Sequence, residues 1–169
     1  MQILVSFCNL RAPGLPALGL LDVTESQFRI LRLPRGWDRC CGITGLATSE
    51  SHVYAVAQAS TASQDVASPR ASNFLVFDRN SFSLLSEYPF RCGHDVHSLW
   101  ACGNSVYAVS TGTDEVIELQ LQGEQVISET VLWRPQPGWP REDLHHLNAL
   151  YVWKGELLVS AFGKKTAEN

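Results

Sequence analysis

The sequence has no long apolar run, no C-x-x-C pair and no cluster of basic residues. No segment approaches the roughly 20 consecutive apolar residues needed to span a bilayer, and the opening MQILVSFCNL lacks the basic start and apolar stretch of a signal peptide. These absences predict a cytoplasmic protein with no membrane partner. Lys and Arg are scattered singly against a net charge of −4, so the electrostatic footprint of a nucleic-acid binder is missing. Five cysteines, Cys8, Cys40, Cys41, Cys92 and Cys102, make an odd count with no zinc-knuckle spacing, which reads as reduced structural thiols. No G-x-S-x-G elbow supports serine-hydrolase chemistry, and no Gly-rich loop is placed to cradle phosphate. Helical spacing with caps is scarcely visible, which argues against a helical solenoid.

What the chain does have is 45% hydrophobic residues against 18% charged over 169 positions, enough for one ordinary core. It also has a repeat. Three segments align: ITGLATSESHVYAVAQ (43–58), VHSLWACGNSVYAVST (96–111) and LNALYVWKGELLVSAF (147–162). Leu46, Leu99 and Leu150 recur at intervals of 53 and 51 residues, and each is followed seven positions later by Val53, Val106 or Leu157. Between them, 73–90 and 114–133 each read as two alternating apolar runs joined by a polar turn, and 18–34 matches them. ILVSFCN (3–9) aligns with HVYAVAQ and SVYAVST as the second strand of an earlier unit.

Four antiparallel strands recurring at this period predict an all-β fold, a β-propeller segment of about three to four four-stranded blades. The expected units are a partial blade over 1–36, blades over 37–91 and 92–141, and a partial blade over 142–169. A β-sandwich is the alternative, since short strands alone do not fix topology. Six blades need roughly 240 to 300 residues, so the ring is expected to be incomplete. The remaining blades would come from further C-terminal sequence or from self-association.

Several residues carry a further likeness. ILVSFCN, HDVHSLW, the Trp133-x-Pro135 of WRPQPGW and the block EDLHHLNALYVWKGELLVSAFG (142–163) together resemble a bacterial β-propeller-like family of unknown function. Its pattern is a D-x-H-x-L strand start, matched by Asp95, His97 and Leu99, then a W-x-P segment followed by E-D-x-x-H-L-N-G-L, matched by Glu142, Asp143, His146, Leu147, Asn148 and Leu150. Ala149 stands where the family has Gly, and the family's C-terminal blades have no counterpart here. The resemblance implies the fold and no activity.

The candidate site follows from the repeat. If each inner strand starts near the axis, the residues before it ring one mouth of a central channel. His97 aligns with Asn148 and Thr44, Asp95 with His146, and His94 with His145. The ligand-binding set is therefore His94, Asp95, His97, Asp143, His145, His146 and Asn148. Such a mouth suits a small-molecule, carbohydrate or protein partner. A structural role is the plain alternative, with His97 and Asn148 bonding the neighbouring blade's backbone. The chemical alternative is a metal-assisted hydrolase or lyase, lactonase-like, with His97 as base and Asp95, His146 or Asn148 as ligands. Imidazoles suit zinc, copper, iron or nickel, and an Asp/Asn oxygen set suits calcium or magnesium, so a divalent metal is the cofactor to test. Positions 94 and 97 have opposite parity on an extended chain, which sets those two imidazoles on different faces. Cys40-Cys41 would lie on the same mouth as His94. The five tryptophans, Trp37, Trp100, Trp133, Trp139 and Trp153, would fill blade interfaces or offer a stacking surface. QASTASQDVASPRAS (58–72) reads as an exposed loop.

Overall fold

The computed structural model describes residues 1–8, 10, 15–33, 37, 40–58 and 71–164. The Ser/Ala-rich segment 59–70 lies outside the described residues, as do 165–169. Among the described residues there is no α-helix, and only a 3₁₀ turn at Thr111–Thr113 interrupts the strands. Among them no helix is long and apolar enough to cross a membrane.

Among the described residues thirteen strands form four antiparallel sheets, each in chain order. The first holds β1 (Gln2–Ser6), β2 (Leu18–Asp22) and β3 (Gln27–Leu31). The second holds β4 (Gly42–Thr48), β5 (His52–Gln58), β6 (Ala71–Asp78) and β7 (Leu84–His94). The third holds β8 (Val96–Cys102), β9 (Ser105–Ser110), β10 (Glu115–Gln122) and β11 (Gln125–Trp133). The fourth holds β12 (Leu147–Trp153) and β13 (Glu156–Ala161). The stretch expected as a second strand thus falls in β1, which pairs with β2 in a three-stranded sheet. β7 runs on to His94, three residues past the expected unit boundary at 91, and a single residue, Asp95, separates it from β8.

Period-2 alternation builds the core. Successive residues of a strand point to opposite faces, so a strand covered on both sides must be apolar throughout. In β5, Tyr54 and Val56 join Phe74, Val76, Leu99 and Ile117 between the second and third sheets. Val53, Ala55 and Ala57 of the same strand pack with Ile43, Leu75 and Phe77 toward the first sheet. A smaller layer of Val109, Val116, Leu147 and Leu150 joins the third sheet to the fourth. Phe74 is fully buried and stacks on Tyr54 at 5.6 Å between centroids. Burying one such aromatic stabilises by about 3 kcal/mol. The rim strands β7 and β11 alternate between exposed and half-buried positions instead.

The inner strands are tied to one another by side chains. Thr44 Oγ1 donates to the Val96 carbonyl at 2.5 Å, and the Leu150 amide donates to Ser98 Oγ at 3.1 Å. The Thr111 hydroxyl donates to the Leu147 carbonyl. These bonds align the starts of β4, β8 and β12 at one end of the stack. At the position four residues before each repeat leucine, Gly42, Asp95 and His146 all have positive φ, at 132°, 50° and 53°. That backbone turn carries the chain from a rim strand into the next inner strand. Stacked four-stranded meanders with inner strands side by side make this chain a β-propeller segment, and its sheets close no ring among the described residues.

Candidate functional site

The left-handed residue at each strand start decides which side chains meet. Asp95 sits in that conformation, and His97, two residues on along extended chain, points the same way. His97 Nε2 lies 3.3 Å from Asp95 Oδ1, and the same oxygen accepts a hydrogen bond from Nε2 of Gln58, which is buried at the end of β5. On the next inner strand His146 occupies the corresponding position, and its Nδ1 lies 3.1 Å from Asp143 Oδ2. The two imidazoles face each other across the joint between sheets, 5.7 Å apart between centroids and near-perpendicular. Both dyads are about one-quarter to one-third exposed. The His97 imidazole is held above its ordinary pKa, first by its hydrogen bond to Asp95. Burial opposes this, while the Asp95 charge, a hydrogen bond to Asn148 and the Asp143 charge reinforce it.

The other expected site residues divide. Asn148 is exposed beside His97. His94 and His145 turn away from the dyads, as strand parity requires. His94 Nδ1 is buried without a hydrogen-bond partner, and the His94 amide is held by Ser110 Oγ at 2.9 Å. His145 lies 3.3 Å from the fully buried Asp114 and packs against Trp139, 5.2 Å between centroids. The backbone-bridging role expected of His97 and Asn148 falls instead to Thr44 and Ser98, whose short hydroxyls reach across where an imidazole is too long. Cys40 is buried in the core toward the first sheet, and the five cysteines form no disulfide. Among the tryptophans, Trp37 donates to Glu87 at 2.7 Å and Trp100 packs in a core layer, while Trp133 and Trp153 are half-exposed.

Three contributors are missing from the sequence-based set. Gln58 ends β5 and Phe162 directly follows β13, both at the position aligned with Thr111. Phe162 is 78% exposed and lies 5.3 Å from the His146 ring, which gives the mouth an aromatic wall. Asp114 is the third. Its carboxylate accepts from the backbone amides of Leu144, His145 and Leu147 at 2.8, 2.6 and 3.3 Å, clamping the segment that carries Asp143 and His146. Beside it the fully buried Glu115 pairs with Arg134 and Arg141 at 3.3 and 3.2 Å, holding down the ends of the 134–141 loop. The signal available was the charged pair in TGTDEVIEL, placed where an apolar strand begins.

His97 Nε2 and His146 Nδ1 are each turned to a carboxylate, and among the described residues no group of three His, Cys, Asp or Glu side chains is arranged to hold an ion. What the arrangement supplies is two imidazoles oriented by carboxylates, His97 with Asn148 as a second hydrogen-bond partner, beside an aromatic wall. At the other end of the stack, a cleft of about 510 Å³ lies among the hairpin turns of the second and third sheets, lined by Ser49, His52, Tyr54, Cys102 and Asn104.

No protein-family profile matches the chain, and no curated protein matches it. Solved structures do. The crystal structure of a "putative 6-phosphogluconolactonase" from Bacteroides uniformis ATCC 8492 superposes with a TM-score of 0.62 at 16% identity, covering 99% of this chain and 51% of that one. A second protein so described, from Bacteroides fragilis NCTC 9343, gives 0.63 at 15% identity, covering 96% and 46%. At such identity the likeness shows the fold alone, a propeller-like all-β architecture. The chain spans about half the length of these structures.

Proposed function

We propose that the chain carries the acid–base site of a propeller-type hydrolase acting on a cyclic ester of a small polar molecule, a lactonase-like activity. The observation that carries this reading is the pair of His–carboxylate dyads facing each other at 5.7 Å on adjacent inner strands. The fold likeness to proteins described as lactonases supports it as well. In this mechanism Asp95 holds the tautomer of His97 with its proton on Nε2, leaving Nδ1 to take a proton from water. The water oxygen bonds to the ester carbonyl carbon, and the ring C–O bond breaks as the tetrahedral intermediate collapses. His146, oriented by Asp143 through Nδ1, donates a proton from Nε2 to the departing oxygen, and the product is a hydroxy acid. A positioned general base or acid contributes about 10²- to 10⁴-fold each. No step is routed through a metal.

A second reading, a binding module for a small-molecule, carbohydrate or protein partner, is favoured by Phe162. Its exposed ring beside His146 offers a flat apolar surface of the kind sugars stack on. The test is hydrolysis of sugar lactones, with and without a phosphate group, by wild type, His97→Ala, His146→Ala and Asp95→Asn. Expected are losses of about 10²-fold or more in kcat for each histidine variant. Activity should rise with pH as His97 loses its proton. Asp95→Asn should move that limb to lower pH, because it removes the chief cause of the raised pKa. Lactone binding without turnover would decide for the binding module.

A further inference from the structure

The cleft at the end opposite the dyads lies between the second and third sheets, each four-stranded. At about 510 Å³ it is of the size that holds a small molecule. Its walls are the turns after β4, β8 and β10, and they are tied in place. The Arg79 amide donates to the Ser51 carbonyl at 2.9 Å, and its guanidinium donates to the Ser49 carbonyl at 2.6 Å. The Leu121 amide donates to the Asn104 carbonyl at 2.8 Å, and the Ser86 hydroxyl reaches from the second sheet to the Glu124 carbonyl of the third. His52 and Tyr54, alternate residues of β5, turn to one face with their rings 5.9 Å apart. Tyr54 is 4% exposed and stacks on Phe74, which fixes its ring. A buried phenol ordinarily finds a partner for its hydroxyl. Here no described residue pairs with the Tyr54 hydroxyl, which keeps contact with solvent at the cleft. Ser51 Oγ lies 3.0 Å from His52 Nδ1, and His52 Nε2, the Asn104 side-chain amide and the Glu50 carboxylate have no described partner.

We propose that this cleft binds a neutral saccharide. Its lining holds no Lys or Arg and one carboxylate, Glu50, so a phosphate or other anion meets no countercharge there. The groups it offers are the hydroxyls of Tyr54, Ser49 and Ser51 and the amide of Asn104, which both donate and accept, as sugar hydroxyls do. Ala101 and Leu121, with the His52 ring, supply an apolar strip for the C–H face of a sugar ring. A nucleobase would need a slot between parallel aromatic walls, whereas the His52 and Tyr54 rings stand on one strand at 41° to each other. The Tyr54 hydroxyl carries the argument furthest, because a ligand oxygen completes the hydrogen bonding that the protein leaves unmet. Since the Tyr54 and His52 rings are already held, binding costs little side-chain ordering. The cleft is remote from His97 and His146, so this inference stands whatever the mouth does.

The test is an amide NMR titration of the 169-residue chain with maltose, cellobiose and lactose, and with glucose and glucose 6-phosphate as a neutral and anionic pair. At least one neutral sugar should give saturable shifts at Ser51, His52, Cys102 and Asn104. Asn104→Ala and Tyr54→Phe should each weaken that binding about three- to tenfold, the worth of one hydrogen bond. Phe162→Ala and His97→Ala, at the mouth, should leave it unchanged. Far-ultraviolet circular dichroism checks that the variants stay folded, and Asn104→Ser repeats the comparison should either cleft variant fail to fold. No saturable shift with any of the sugars, shifts confined to residues of the mouth, cleft variants that bind as wild type does, or a stronger response to glucose 6-phosphate than to glucose would each overturn the proposal.

Discussion

At the scale of single residues, short side chains hold the structure together and long ones face the opening. Thr44, Ser98 and Thr111 tie neighbouring sheets, while His97 and His146 are left to their carboxylates. The residue that carries most is Asp114. Fully buried, it satisfies three consecutive-region amides and the His145 ring with one carboxylate. Asp114→Ala should cost about 3 kcal/mol or more, because it strands those amides away from water, and urea unfolding would read the loss. Asp114→Asn, which keeps an acceptor, should cost less. The D-x-H spacing was legible in the sequence as a strand start with chemical potential. Asp114 was not, because a carboxylate before a strand looks the same whether it caps a neighbouring segment or faces solvent.

At the scale of elements, the repeat was legible because each strand obeys one period and each inner strand begins the same way. The residue at or just before the strand start has positive φ in all three units, yet its identity changes from Gly42 to Asp95 to His146. Only Gly42 is placed where nothing larger fits. A Cβ there would come within 2.5 Å of both Cys8 Cα and the Phe7 carbonyl, and its φ of 132° excludes other residues. The Ile43 amide donates to that same carbonyl at 2.9 Å. Gly42→Ala should therefore part the first sheet from the second and lower the melting temperature by several degrees, whereas Gly103→Ala, whose φ of 57° strains a side chain but which meets nothing within 4 Å, should lower it less. Asp95 and His146 tolerate the conformation because asparagine-like and imidazole side chains are enriched in it, which frees those two positions for the mouth.

At the scale of the whole molecule, stability is graded from the middle outward. β5, β6, β9 and β10 carry most of the fully buried positions, while residues of β1, β3 and β13 are exposed or half-buried almost throughout. Amide exchange should be slowest by orders of magnitude in those four strands and fastest in β1 and β13; uniform protection would contradict the stacking described. The sequence by itself determined that the chain is all-β, that it repeats at about fifty residues, and that a polar His/Asp/Asn set opens the inner strands β8 and β12, because periodicity and turn chemistry are local properties. Tertiary structure alone decided which of those polar residues meet. A left-handed turn at each strand start turns His94 and His145 away from the pair and sets His97 opposite His146, and that opposition exists only once two sheets, 51 residues apart in sequence, stack face to face.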